Sequence, residues 1–359
     1  MPKPKPRVQV MLDSGAFSSW TKQEPIAIED YIVFVRAVGR YLWTYVSLDE
    51  IPDARGRPRT FADVEAAATG SYRNLRTMQD AGLKPLPVFH QGEDIKWLER
   101  MLADGQDYVG VSSAKNYPRP KQQEWLDIVF SVLTDDEGYP LVRVHGFGSV
   151  HFDWLQRYPF YSVDSAGWLK GAFNGKVYVP PYHHGVPDYL GKPEFVTVSG
   201  RYQKNRYSQT RQLSNPSYYS PQALADIGDF FVHECGLTLK QVRSEHWARA
   251  QVMAHYYQGV KAALPTPIHF YHKVALRADE LRVAKRLQAT RTAIEVPELT
   301  FVFATQNQRP WVEALDAVGA RHHLLSFAKM RKPDVLAAYV MGKLKKEEGQ
   351  VLVHLAFAK

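Results

Sequence analysis

Cysteine is almost absent from this sequence: Cys235 is the only one among 359 residues. A single thiol excludes a disulfide framework and any zinc site built from several cysteines, and it suits a reducing, intracellular setting. Long apolar runs are missing too. Nothing approaches the ~18–20 consecutive apolar residues of a membrane-spanning helix. The arm Met1-Pro-Lys-Pro-Lys-Pro6 is basic and proline-rich with no apolar stretch behind it, so it does not read as a signal peptide. The expectation is a cytoplasmic protein with no membrane partner. No internal repeat and no long low-complexity segment occur. The histidines at 90, 145, 183, 184, 322 and 323 read as core or surface residues, so no metal is expected.

What is present is enough apolar residue for a sizeable core, at 45% of the chain. The formal net charge of +8 suits an anionic partner such as nucleic acid. Over residues 8–165, short β-rich apolar runs alternate with longer helical stretches. The candidate strands are Val8–Leu12, Thr44–Leu48, Leu86–His90, Tyr108–Ser112, Leu141–His145 and Phe160–Val163. Between them Ile28–Val38, Ala62–Ala81, Ile95–Ala103 and Trp125–Leu133 repeat their apolar residues at three and four. This alternation predicts parallel, fully buried strands in an α/β barrel or a doubly wound sheet.

The polar residues favour the barrel. Each strand ends in something small or reactive: Asp13-Ser14-Gly15, Asp49-Glu50, His90-Gln91-Gly92, Gly110 to Ser113, His145-Gly146-Phe147-Gly148 and Asp164-Ser165. Polar groups at many C-terminal strand ends describe the mouth of a TIM (β/α)8 barrel. The G-x-G-x-x-G fingerprint that a dinucleotide-binding sheet carries after its first strand is absent. Six strands do not close such a barrel. Thr300–Ala304, a helix around Trp311–Val318 and His323–Phe327 are expected to supply the last two, making residues 296–359 a closing strand–helix–strand unit after a first block of 1–166.

Residues 167–295 break the rhythm and read as a partly helical insertion on the side of the barrel mouth. Lys176–Pro181 and Phe195–Ser199 are possible strands; Ala223–Glu234, Leu239–Ala263 and the basic Arg277–Arg291 read as helices. Arg201, Lys204, Arg206 and Arg211 interleave with Tyr202, Tyr207, Tyr218 and Tyr219, and nothing acidic lies between Glu194 and Asp226. Cations that meet phosphates beside rings that stack on bases describe a nucleic-acid-binding lid.

The strand ends resemble the tRNA-guanine transglycosylase superfamily. The motifs are Asp13-Ser-Gly-Ala-Phe17, Leu48-Asp49-Glu50, Phe89-His-Gln91-Gly92, Tyr108-Val-Gly110, His145-Gly-Phe-Gly148 and Phe160-Tyr-Ser-Val-Asp164-Ser165, in the family's order over residues 8–168. The resemblance implies a TIM barrel that exchanges guanine in a nucleic acid for a 7-deazaguanine. It implies Asp164 as the nucleophile on the sugar C1′ and Asp13 as general acid/base. Asp49 would grip the N1/N2 edge of the base, with Gln91 and the backbone at Gly110 on its carbonyl side and Ser14 and Gly146 lining the site.

The chain departs from most tRNA-acting members, which carry a C-terminal zinc site of three cysteines and a histidine. With Cys235 alone that site cannot form, and no zinc subdomain is expected. The missing zinc site and compact chain look more like a diverged branch, found in phages and bacterial modification clusters, that inserts preQ0 or a relative into DNA. The resemblance thus implies DNA and a free 7-deazaguanine base as partners, no cofactor, and a host cytoplasm if the protein is phage-encoded. A zinc-free tRNA enzyme, a catalytically inactive nucleic-acid-binding barrel and a glycosidase acting on free sugars remain as alternatives.

Overall fold

The computed structural model describes residues 8–52, 59–103, 105–114, 116–199, 209–215, 217–294, 296, 298–304, 309–327 and 332–341. Two compact units emerge. The first holds the described residues up to Asp164 together with Thr266–Val302 and those from His322 onward; the second holds Ser165–Pro265 and Phe303–Arg321.

The first unit is an α/β structure built on a curled, parallel, eight-stranded sheet, compatible with a TIM-like fold. Its strands are β1 (Gln9–Asp13), β2 (Leu42–Tyr45), β3 (Val88–His90), β4 (Tyr108–Ser112), β5 (Arg143–Phe147), β6 (Ser162–Ser165), β11 (Thr300–Ala304) and β12 (His322–Ser326). They lie in the order β2-β1-β12-β11-β6-β5-β4-β3. The two strands from the end of the chain therefore sit mid-sheet, between β1 and β6. Just beyond the outer strands, Val46 and Leu86 form a parallel bridge, with the Ser47 N–H donating to Leu86 O and the Leu86 N–H to Tyr45 O, both at 2.8 Å.

Inside the curl, Met11, Val46, Leu86, Val88 and Val302 form one buried cluster, flanked by Trp43, Tyr108, Phe147 and Leu324. Seven of the eight strand segments contribute to it, as expected when parallel strands bury both faces. The helix Phe61–Asp80 starts at Thr60, which forms a reciprocal capping box with Asp63. The sequence places three strand starts two residues early: Leu86 still makes the bridge to Val46, but Leu141 and Phe160 are buried in the segments leading into β5 and β6. Apolar character marks burial there, not strand pairing.

The basic stretch assigned from sequence to the insertion forms the helix Ala278–Thr290, which packs on the helices Ile95–Ala103 and Arg119–Leu133. Val283, Ala284 and Leu287 are its buried stripe, while Arg282 and Arg286 pair with Glu99 at 2.8 and 3.0 Å. It belongs to the first unit.

The second unit contains an antiparallel pair, β7 (Lys176–Val179) with β10 (Glu194–Thr197), and the short pair β8 (Tyr182–His183) with β9 (Val186–Pro187). Around them lie the helices Gly167–Phe173, Pro221–Asp229, His246–Ala263 and Arg309–Ala317, with Trp311 set edge-on to Phe173 at 5.0 Å. The single helix expected over Leu239–Ala263 is broken. Leu239–Ser244 ends at Glu245, whose extended backbone starts a second helix at His246.

Arg249 accounts for the break. Its side chain is buried, and its guanidinium donates to the carbonyls of Val242 and Arg243 at 2.9 and 3.1 Å, which the broken helix leaves over, and to Ala172 O at 2.6 Å. Arg249→Met should therefore cost about 3 kcal/mol or more, because several buried carbonyls lose their donors together. A urea denaturation midpoint within error of wild type would contradict this role.

Candidate functional site

The C-terminal ends of the parallel strands share one edge of the sheet. Side chains alternate along a strand, so residues two apart share a face. Two residues on from Met11, Val88 and Leu324 of the inner cluster stand Asp13, His90 and Ser326. Asp164 stands two residues on from Ser162, whose hydroxyl meets Tyr108 Oη at 2.5 Å. The inward faces of β1, β3, β6 and β12 thus end in polar residues at one rim.

Asp49 follows the Val46 bridge on a loop pinned from the helix Phe61–Asp80. Asn74 Nδ2 donates to Leu48 O at 3.0 Å, and the Glu50 N–H donates to Ser71 Oγ at 2.8 Å. The Asp49 carboxylate is held on both oxygens. Ser14 Oγ donates to Oδ1 at 3.1 Å, and His90 Nε2 lies 3.1 Å from Oδ2. Ser14 is fully buried, and its Oγ also accepts the Ala16 N–H at 3.3 Å. The other ring nitrogen of His90 lies 3.0 Å from Glu93 Oε1, while Glu93 Oε2 accepts the His90 N–H at 3.1 Å.

Burial alone would push His90 down, but the carboxylates of Glu93 and Asp49 outweigh it and raise its pKa to about 10. The imidazolium is thus clamped between two carboxylates. The phenol of Tyr31, which donates to Val46 O at 2.7 Å, is pushed up first by burial and then by the charges of Asp13 and Asp49. Both carboxylates therefore lie near one buried ring.

The His90 clamp makes stability depend on pH. The folded-state pKa of His90 is raised, so the stabilisation is complete below the ~6.5 of a free imidazole and is lost as pH climbs through about 10. The stability difference between wild type and His90→Gln should shrink steadily over that window. A constant difference from pH 6 to pH 10 would show that the imidazolium is not what holds the loop.

On β6, Asp164 Oδ1 accepts the Gly148 N–H at 2.7 Å and faces His145 Nε2 at 3.5 Å. Gly110 and Gly146 make room. A side chain at Gly110 would meet the Phe147 ring at 2.5 Å, and one at Gly146 would meet Phe160 and Ser149 at 2.7 Å. The Gly110 N–H donates to Pro87 O at 2.8 Å, so it is already engaged within the sheet. Gln91 is likewise engaged by backbone, donating to Lys121 O in the first turn of the helix Arg119–Leu133 and accepting the Ala114 N–H, both at 3.0 Å.

Compared with protein-family models, curated proteins and solved structures, the chain matches none.

In the second unit, Arg211 Nη1 pairs with Glu194 Oε1 at 3.3 Å, and its guanidinium lies 5.9 Å from the centre of the Tyr218 ring. Arg201, Tyr202, Lys204, Arg206 and Tyr207 lie outside the described residues. Among the described residues, no group of three or more His, Cys, Asp or Glu could hold a metal ion, and no helix is long and apolar enough to cross a membrane.

Sequence reasoning reads His90 and His145 only as core or surface residues and gives no role to Glu93 or Ser162. The available signal was positional. His90 and His145 both stand on strands that end in the polar clusters, and Glu93 follows His90 by three residues across a turn.

Proposed function

We propose that this protein is a guanine transglycosylase acting on DNA, exchanging guanine for a 7-deazaguanine such as preQ0 on a closed (β/α)8 barrel. The observation that carries the reading is the placement of Asp13 and Asp164. Both stand at the C-terminal ends of parallel strands on one edge of one sheet, with Asp49 oriented nearby. The Val46–Leu86 bridge supports closure, since it links the strands that would otherwise be free edges.

β1 and β6 are three inter-strand steps apart. At ~4.8 Å per step that is about 14 Å along the rim. Two carboxylates reaching inward from those positions leave space for a nucleoside between them. In the proposed reaction an oxygen of Asp164 attacks C1′ as the bond to guanine N9 breaks, and Asp13 delivers a proton to the departing base. The incoming 7-deazaguanine gives a proton back to Asp13 and takes C1′ from Asp164, so the configuration is retained. Asp49 accepts from the N1–H and N2–H donors of the base, and Ser14 and His90 fix its orientation.

In duplex DNA the nucleotide must first be flipped out, at a cost of a few kcal/mol. The basic, aromatic stretch from Arg201 to Arg211 is proposed to hold the strand. No cofactor is invoked, and the free base is the co-substrate.

The test is to incubate the protein with radiolabelled guanine or preQ0 and either duplex DNA or tRNA. Label in DNA supports the reading. Label in tRNA alone moves the activity to the tRNA-acting class, and label in neither removes the proposed function.

A further inference from the structure

Behind Asp164 lies a buried polar chain that the exchange reaction as drawn does not use. Tyr108 Oη lies 2.5 Å from Ser162 Oγ, which lies 2.6 Å from His145 Nδ1. His145 is completely buried, and its Nε2 has no hydrogen-bond partner among the described residues. That nitrogen faces Asp164 Oδ1 at 3.5 Å. An unpartnered buried ring nitrogen is costly unless it acquires a partner in some state of the protein.

The direction of the chain follows from its ends. Burial pushes the Tyr108 phenol up, so it keeps its proton and can donate to Ser162. Ser162 can then donate to His145 Nδ1, which puts the ring proton on Nε2. The other tautomer would still satisfy Ser162 from Nδ1–H but would turn a bare lone pair on Nε2 toward a carboxylate oxygen, with repulsion on that side. The Phe147 ring stands edge-on to the imidazole at 4.4 Å and helps fix its plane.

We propose that His145 is a positioning residue for Asp164. Its Nε2–H, together with the Gly148 N–H, holds the Oδ1 edge of the carboxylate and leaves Oδ2 to meet C1′. The separation is 3.5 Å, and contacts of this kind tighten when the reacting group is in place. This role rests on reading Asp164 as the nucleophile. The tautomer does not.

The experiment therefore has two readouts on the full-length protein. Nitrogen-15 NMR of histidine-labelled protein, with the His145 signals identified by their loss in His145→Gln, should show the proton on Nε2. Ser162→Ala should shift that balance toward Nδ1. In single-turnover assays, His145→Leu should slow formation of the covalent nucleic-acid adduct about 10²-fold, the scale of a misplaced reacting group. The KM for the free base should be unchanged. His145→Gln, which offers an N–H in a similar place, should recover most of the rate.

A His145 proton on Nδ1 in wild type, or adduct formation at the wild-type rate in His145→Leu, overturns the assignment. If His145→Leu does not fold, Ser162→Ala carries the same test: an unchanged tautomer together with an unchanged adduct rate overturns it. A wild type that labels neither DNA nor tRNA removes the transglycosylase reading and, with it, the catalytic meaning of the contact; the tautomer then decides only whether His145 turns an N–H toward the Asp164 carboxylate.

Discussion

Asp164→Asn should abolish base exchange, lowering its rate by roughly 10⁴–10⁶-fold, the range found when a catalytic residue of a covalent mechanism is removed. The substitution is nearly isosteric. The carboxamide oxygen can still accept the Gly148 N–H that Asp164 Oδ1 accepts at 2.7 Å, so the fold should be undisturbed and the thermal transition unchanged. What is lost is the negative oxygen proposed to attack C1′. Asp13→Asn should behave differently. It removes the proposed proton transfer, worth about 10²–10⁴-fold, yet leaves the proposed nucleophile in place. A denaturing gel of protein incubated with nucleic acid separates the two. Asp13→Asn should still form a covalent adduct, slowly, and Asp164→Asn none. Adducts in Asp164→Asn would remove it as nucleophile; adducts in that variant but not in Asp13→Asn would reverse the two roles.

The second large effect is structural. A chain ending at residue 295 should show no cooperative unfolding transition. It lacks β11 and β12, which lie between β1 and β6, so β1 loses its partner along the whole register from Gln9–His322 to Asp13–Ser326. The core loses Phe301, Val302, Leu325, Phe327 and Leu336, all buried. The Phe327 ring alone packs against Tyr31 and Phe34, each at 5.0 Å. Deleting one large core side chain costs about 3–5 kcal/mol, and a whole domain is stable by only about 5–15 kcal/mol. Circular dichroism during heating and size-exclusion chromatography would check this. A truncated protein that elutes as a compact monomer and melts sharply would show that the terminal strands are an appendage.

Much of the sheet was legible because parallel strands buried on both faces read as short apolar runs ending in polar residues. Tyr108–Ser112 and Thr300–Ala304 are found where the sequence puts them. The positions of Leu141 and Phe160 were misleading because burial without strand pairing leaves the same apolar signature. The break at Glu245 was hidden for another reason. Helical periodicity continues across it, and the compensation comes from Arg249, whose partners are backbone carbonyls that carry no residue-specific signal. At the strand ends, Asp13, Asp49 and Asp164 stand out by residue type. The Asp49–His90–Glu93 clamp and the Tyr108–Ser162–His145 chain do not, because they join residues from different strands or across a turn, and only folding brings their atoms within bonding distance.

The pairing of β1 with β12 also sets a timetable for the chain as it is made. Asp13 and its register partner Ser326 are about 310 residues apart. At ~5–20 residues per second on the ribosome, roughly 15–60 s separate the synthesis of the two. Throughout that interval β1 is an apolar strand without one of its neighbours, a segment that a nascent-chain chaperone would be expected to shield. The rim carrying Asp13 takes its final form only after β12 has been made, so a ribosome that stalls before residue 326 releases a chain in which Asp13 has not met its place in the sheet.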